Sequence, residues 1–444
     1  MATIDRRQFI QTTSKAGLGS ALLMHAPFLS SFSKNEMVNI ALIGLGGRSH
    51  GIAQAVALCD HIQATHICDV DEKQTAKFIA NTKASFSKAP IVEKDFRKLL
   101  ENPDIDAIAI TTPEHWHAPM AIMAMQAGKH VYVEKPCSHN LHENEMLVEA
   151  QRKYDKVCQM GNQQRSSVTS NKAIKEIRNG KIGDVYFGKA WYANTRGPIG
   201  RGKQIPVPKT LDWDLWQGPA PRENYRDNVH PYNWHWFKNW GTGEIHNNGT
   251  HEIDICRWAL NVQMPNRVVS TGGRLHYKND DWEFYDTQIA SYEFDDGKTI
   301  IWEGKSCNGE KPYNRGRGAI VYGTKGTILL DRSGYVLMDL DGNKLESHSE
   351  SNPGTSASTK DLTGFDGLTV RHMQNFVNAI REGEKLKAPI NDASISTHLC
   401  HLGNIAQELE VSLKVDPATG KILDNKMAMS KWGRSYEKGW EVTI

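Results

Sequence analysis

From residue 38 the chain alternates short, almost wholly apolar runs with longer stretches whose apolar residues recur every three or four positions. Residues 38–43 form the first run. Gly44-Leu45-Gly46-Gly47-Arg48-Ser49 follows, and apolar residues then return at helical spacing over 52–58. A second run, 62–68, stops at Asp69. Residues 95–100 read as a short helix, and 107–111 as a buried strand that ends in Thr112-Pro113-Glu114-His115-Trp116-His117. A helical stretch over 120–127 is closed by Gly128, as suits a helix C-terminus. Val131-Tyr132-Val133 is the next strand, followed by Glu134-Lys135-Pro136; the proline stops it because it has no N–H for the ladder. Strands alternating with helices predict a parallel, doubly wound sheet. In such sheets ligands bind beyond the C-terminal strand ends, where each of these runs delivers a glycine turn or a polar motif.

The pattern changes from about residue 161. Gln163-Gln164-Arg165 leads into a helical stretch over 171–179 capped by Gly180, then a strand over 185–192 and a Gly/Pro-rich segment to 221. Residues 225–240 are dense in aromatics, with Tyr232, Trp234, Trp236, Phe237 and Trp240 among His230 and His235. Such faces suit a pyranose ring, but for most of these tryptophans a small core under a long loop is the better reading. Residues 287–294 and 299–302 predict a hairpin around Asp295-Asp296-Gly297, 320–322 and 327–331 another, with 335–339 following. Consecutive hairpins predict an antiparallel sheet. A Ser/Thr/Gly-rich surface loop over 350–360 precedes two last helical stretches, 369–381 and 395–411.

A chain of 444 residues exceeds what one core usually supports, so two domains are expected, over 37–162 and 163–444. Its 39% hydrophobic and 23% charged residues are ordinary for a globular protein. A net charge of +2 gives no electrostatic case for a nucleic-acid partner. The seven cysteines are scattered singly without C-x-x-C, so neither a zinc site nor a dense disulfide framework is indicated, and no metal is expected. Arg6-Arg7-Gln8-Phe9-Ile10 before an apolar, small-residue run over 16–28 resembles a twin-arginine export signal. Residues 1–36 are therefore read as a signal segment and the protein as periplasmic or otherwise exported; a frayed amphipathic terminus is the alternative. No run is long enough for a membrane span.

Strand, glycine turn and helix in succession form the context a G-x-G-x-x-G match requires. Gly44 permits the tight turn, Gly46 lets the backbone approach a pyrophosphate, and Gly47, Arg48 and Ser49 open the helix at which that anion would sit. Ser49 stands where glycine or alanine is usual. Asp69, ending the second strand, is placed to accept hydrogen bonds from a ribose diol and to repel a 2′-phosphate, which favours NAD over NADP.

Gly44-x-Gly46, Asp69, Thr112-Pro113-x-His115-x-His117 and Glu134-Lys135-Pro136, in this order and spacing, resemble the Gfo/Idh/MocA oxidoreductases. The resemblance continues through Gly249-Thr250-His251-Glu252-Ile253-Asp254 and Tyr322-Gly323-Thr324-Lys325-Gly326. It implies an α/β chain: an N-terminal Rossmann domain, then an α+β domain with a large open, mainly antiparallel sheet. One face of that sheet would carry the active site, and the domain would also mediate assembly into a homo-oligomer, a dimer or tetramer. The same motifs set Thr112, Pro113, His115, Glu134 and Lys135 at the cofactor.

Oxidising a secondary alcohol needs a hydride acceptor, a base for the hydroxyl proton and a cation that favours the alkoxide. Lys135 is the candidate cation and His251 the candidate base. Many relatives carry an Asp four residues before this histidine; here that position is Asn247, which cannot take a proton but can bind a sugar hydroxyl. Glu244, Glu252 or Asp254 are the acids that could assist, and Asp254 falls on the helical face of His251. His246, Asn247 and His251 could also be read as a metal cluster, but with the wrong spacing for a helix pair. His117, Trp116 and Arg165 are further substrate-side candidates. The expected function is NAD-dependent oxidation of a secondary hydroxyl of a sugar, cyclitol or glycoside, with C3 of a glycoside as one target. Two alternatives stay open: a glycosidase that oxidises C3, eliminates the aglycone, adds water and reduces again with the same NAD, and a non-catalytic sugar- or NAD-binding protein.

Overall fold

The computed structural model describes residues 37–352 and 366–444, so the expected signal segment over 1–36 and most of the expected 350–360 loop lie outside the described residues. The first sheet contains β1 (Val38–Ile43), β2 (Ile62–Cys68), β3 (Ile91–Glu93), β4 (Ala107–Ile110), β5 (His130–Val133) and β6 (Cys158–Met160), in the order β3-β2-β1-β4-β5-β6. Every pairing is parallel, and β1, β4 and β5 are almost wholly buried because helices cover both faces. The order reverses between β1 and β4, which opens a crevice at their C-terminal ends.

The second sheet has ten strands: β7 (Val185–Ala193), β8 (Arg267–Gly273), β9 (Thr287–Glu293), β10 (Thr299–Lys305), β11 (Arg317–Gly323), β12 (Gly326–Asp331), β13 (Gly334–Met338), β14 (Lys344–Ser349), β15 (Leu413–Val415) and β16 (Ile422–Leu423). Its order is β14-β13-β12-β11-β7-β10-β9-β8-β15-β16, and the hairpins make it antiparallel except where β7 runs parallel to β10. Across one face lies the helix Gly249–Leu260, buried along nearly its whole length. Two glycines permit that approach: a Cβ at Gly188 would stand 3.1 Å from Cys256, and one at Gly249 3.2 Å from Trp302.

The chain does not stay on its own side of residue 162. Helix Gly367–Glu382 returns to the first domain, where Met373, Phe376, Val377 and Ile380 share a core with β1 residues, Tyr132 and the helix Gly47–Leu58. The chain's end does the same, with Trp440, Val442 and Ile444 against the core around β4 and β5. A long excursion between β7 and the short helix Glu244–Asn247 also crosses over. There the Glu72 N–H donates to Thr210 O at 2.9 Å, the Asp212 N–H to Val70 O at 3.0 Å, and His230 Nε2 meets Asp71 Oδ2 at 3.0 Å. Most aromatics of this strap are core: Trp213, Trp216, Tyr225, Phe237 and Trp240 form one cluster, and Trp236 stacks on Trp282 at 4.2 Å.

Phe376→Ala should destabilise the protein by about 3–5 kcal/mol, the usual range for a buried phenylalanine, and lower its thermal midpoint. Tyr186→Ser, at a side chain 52% exposed, should change stability by no more than about 0.5 kcal/mol.

Candidate active site

The crevice of the first sheet opens into one cavity of about 620 Å³ whose opposite wall is the second domain and the strap. Gly44 turns the chain at φ +83°, and a Cβ there would stand 2.6 Å from Thr112 N, so only glycine lets β1 and the end of β4 come this close. At Gly46 a Cβ would meet nothing within 4 Å, and no side chain caps the helix that begins at Gly47. Its first N–H groups therefore remain available to an anion. Asp69 lines the cavity while its Oδ2 accepts from Leu45 N at 2.6 Å and its Oδ1 from Asp71 N at 2.8 Å. Burial pushes its carboxyl upward, against those two N–H bonds. An open glycine turn, an uncapped helix terminus and an acid at the second strand's end fit NAD. Ser49, by contrast, is buried and donates to Gly46 O at 2.6 Å; it packs the turn and does not line the cavity.

At the tip of β5 the two charged neighbours separate in role. The Glu134 carboxylate is buried and accepts from Arg48 Nε at 2.8 Å, Gln163 Nε2 at 2.9 Å and the Lys135 N–H at 3.3 Å. Arg48 is braced in turn by Thr369 at 3.0 Å. Lys135 points across the cavity, where Nζ donates to Asn247 O at 2.5 Å and reaches its Oδ1 at 3.4 Å. Burial lowers the Lys135 pKa, with Glu114 and Glu134 holding it up. His251, in the first turn of helix Gly249–Leu260, lines the same cavity, and its Nδ1 has no partner among the described residues. Burial, then Lys135, Arg317 and two further arginines, hold its pKa well below the ordinary histidine value, so it is uncharged.

Several expected site residues are committed elsewhere. His115 does not line the cavity: its ring nitrogens face Trp240 O at 3.3 Å and Trp216 O at 3.0 Å, which ties the strap down. Trp116 is 4% exposed, donates to Trp216 O and sits edge-on to Phe96 and Trp440; it touches the cavity as core. His117 lines the cavity, but Pro136 O at 2.6 Å and Thr112 O at 2.8 Å occupy both ring nitrogens, leaving none for a substrate. Arg165 and Asp254 form a buried bidentate pair at 2.7 and 2.9 Å, outside the cavity and shared with Ser396. Both tie the segment after β6 to the helix Gly249–Leu260, and neither lines the cavity. His246 turns away, fully buried against His401, so it does not converge with Asn247 and His251. Of the acids considered as helpers, Glu252 is paired with Arg317 at 2.6 Å, and Glu244 with Arg196 at 2.8 Å and Ser306 at 3.0 Å.

One acid was not singled out in the sequence. Glu114, between Pro113 and His115, is 2% exposed and lines the cavity. The Thr242 hydroxyl donates to its Oε2, and burial raises its pKa to about 7 against Thr242 and Lys135. Tyr192, His235, Arg196, Arg317 and Arg332 also line the cavity, opposite the glycine turn's domain.

Residues 38–162 match the model of an oxidoreductase family described as an NAD-binding Rossmann fold (GFO_IDH_MocA), and residues 171–329 match the GFO/IDH/MocA C-terminal domain. Glycosyl hydrolase family 109 protein 1 of Shewanella sp. (strain ANA-3) is 29% identical over 163 residues, 36% of each chain. The family 109 protein of Shewanella pealeana is 29% identical over 212 residues, 43% of this chain and 46% of that one. The chain thus spans less than half the length of these curated relatives. Aldose-aldose oxidoreductase from Caulobacter crescentus, crystallised with glycerol, superposes with a TM-score of 0.65 at 16% identity over 86% of this chain and 100% of that one. Levoglucosan dehydrogenase, in complex with NADH and levoglucosan, gives 0.64 at 19% identity over 85% and 99%. These likenesses show the fold.

Asp69→Ala should weaken NAD about ten- to hundredfold, the worth of a charged hydrogen bond, and narrow the preference over NADP. Parallel calorimetric titrations with both nucleotides check this; an unchanged preference would remove Asp69 from the ribose.

Proposed function

This chain belongs to the Gfo/Idh/MocA oxidoreductase family, and we propose that it oxidises a secondary hydroxyl of a sugar, cyclitol or glycoside, with Lys135 and His251 at the reacting carbinol. The observation that carries this reading is a buried amine and an uncharged imidazole facing one cavity that also contains the glycine turn and Asp69. NAD, when bound there, supplies the acceptor for the hydride leaving the carbinol carbon. Lys135 Nζ donates to the substrate oxygen and stabilises the charge that develops on it; burial makes that donor stronger. His251 stays unprotonated in the resting site and accepts the hydroxyl proton. The backbone carbonyl of Asn247 holds Lys135 Nζ at 2.5 Å, with the side-chain Oδ1 at 3.4 Å, so the main chain at this position orients the amine. Tyr232 and Trp234 on the strap offer aromatic surface to a sugar ring at the cavity edge.

A sugar-type substrate is further supported by the levoglucosan and aldose oxidoreductases of the same fold. The relatives named glycosyl hydrolase family 109 favour a second reading, in which oxidation at C3 acidifies the C2 proton, the aglycone leaves, water adds and the keto group is reduced again. The twin arginines at Arg6-Arg7 support export, and an exported enzyme is served by a cofactor that stays bound.

Purified protein incubated with α- and β-glycosides without added NAD separates the two chemistries by product mass. A keto-glycoside stoichiometric with protein supports the dehydrogenase, and catalytic release of free sugar supports the glycosidase. No product from any polyol would sink both. Lys135→Ala should slow turnover about a hundred- to thousandfold while NAD binding stays within reach of wild type; loss of both together would give Lys135 a different role.

A further inference from the structure

Among the described residues four imidazoles line the cavity, and they differ in what their ring nitrogens still offer. His117 has both nitrogens against carbonyl oxygens. His230 spends Nε2 on Asp71, and its Nδ1 is enclosed without a partner. His251 is the proton acceptor named above. His235 is the fourth, and the oxidation assigned to Lys135 and His251 does not use it. Its Nδ1 lies 2.7 Å from Tyr232 O. A carbonyl oxygen only accepts, so Nδ1 carries the proton, and Nε2 of the neutral ring is a bare acceptor. Burial keeps the ring neutral by lowering its pKa to about 3. Nε2 has no partner among the described residues and is not enclosed.

The ring is held as firmly as its tautomer. Trp234 stacks on it at 3.6 Å and 17°, and Tyr232 lies tilted against it at 4.8 Å. The His235 carbonyl accepts from the Gly243 N–H at 3.1 Å, and Gly243 O accepts from the Asn247 N–H at 2.9 Å. Asn247 O in turn receives Lys135 Nζ at 2.5 Å. Two main-chain hydrogen bonds and the single turn Glu244–Asn247 therefore separate the His235 peptide from the oxygen that orients the amine.

We propose that His235 Nε2 accepts a hydrogen bond from a second hydroxyl of the substrate, distinct from the one oxidised, and so selects a polyol ring over a lone secondary alcohol. This rests on reading the cavity as a carbinol-oxidising site. Lys135 and His251 serve the oxidised oxygen. A further sugar hydroxyl entering the cavity loses water, and its O–H needs an acceptor or the desolvation goes uncompensated. Glu134, Glu244 and Glu252 are already engaged by Arg48, Arg196 and Arg317. An uncharged acceptor fixed at one point fits an O–H. It rejects a deoxy carbon or a methyl ether at that position, because either leaves Nε2 unpaired. Tyr232 and Trp234, which hold the imidazole, line the same cavity and offer aromatic surface to the ring that carries the hydroxyl.

Calorimetric binding to protein loaded with NADH, which has no hydride acceptor, tests this without turnover. The probes are methyl α- and β-glucopyranosides and galactopyranosides with their monodeoxy derivatives. In wild type, loss of the hydroxyl that His235 holds should weaken binding about ten- to hundredfold. His235→Phe keeps a ring for Trp234 and removes the acceptor. The parent glycoside should then bind about ten- to hundredfold more weakly, and the same deoxy change should cost about threefold or less. Penalties at the other positions should stand. His235→Gln, whose amide oxygen can accept, should restore part of the discrimination. A variant that weakens every glycoside alike, with each deoxy penalty unchanged, overturns the proposal and leaves His235 as packing. Should His235→Phe not fold, nitrogen-15 NMR of wild type decides. The unprotonated Nε2 signal should move on adding the parent glycoside and not its deoxy derivative; an unmoved signal overturns the contact. Glycosides that bind with this pattern yet are not oxidised by NAD-loaded protein uphold the contact and overturn the carbinol reading. Binding of none of them overturns both.

Discussion

The Glu134 carboxylate lies out of water with three donors gathered around it, and each comes from a different part of the chain. Arg48 belongs to the first turn of the helix Gly47–Leu58, Gln163 to the segment leaving the first domain, and the third donor is the next peptide N–H. A buried anion stripped of one partner is worth several kcal/mol less than a paired one, so each donor is held where the carboxylate needs it. Gly161 shows how little room remains: a Cβ there would stand 2.7 Å from the carboxylate. With Glu134 fixed, Lys135 can only project the other way, across the cavity to Asn247. Arg48 carries the same constraint outward to Thr369 on the returning helix.

One physical cause runs through the chemistry of the cavity. Loss of water raises a carboxyl, lowers an amine and lowers an imidazole, and all three shifts occur together at Glu114, Lys135 and His251. The arginines do not take part because each is locked to its own acid. The wall thus separates into fixed ion pairs that shape it and a few groups free to change charge. That separation is set by the second domain and the strap, which supply Thr242, Asn247 and His251.

Much of the fold was legible because its signals are local. β1 and β2 are continuous apolar runs bounded by a glycine turn or a charge, and both were read at the residues where they occur. β3 and β14 gave no such signal: Ile91 and Val92 are exposed at a sheet edge, and Lys344–Ser349 is mostly polar. The parallel contact of β7 with β10 joins distant segments, which hairpin spacing does not report. Lys135, His251 and Asp69 sit at strand or helix ends within recognisable motifs. Arg165, Asp254 and His115 carried the same chemistry on paper, but their partners are remote in sequence and only the packing reveals them. Glu114 gives no signal of its own in the sequence, because a glutamate in a loop is normally solvated and its contact with Thr242 comes from a remote segment.

The returning helix Gly367–Glu382 has a consequence for the order in which the protein is made. A chain emerging from the ribosome presents its first domain long before its last helices, and domains generally fold as they appear. Here the first domain cannot close early, because Phe376 and its neighbours are part of the core that Tyr132 and the helix Gly47–Leu58 help to form. Until synthesis is nearly complete, that apolar flank stays open to chaperones or to other nascent chains. The brace on Arg48 from Thr369 arrives equally late. The nucleotide crevice therefore takes its final shape only when the polypeptide is almost whole, and a prematurely ended chain would carry the glycine turn without a finished place to use it.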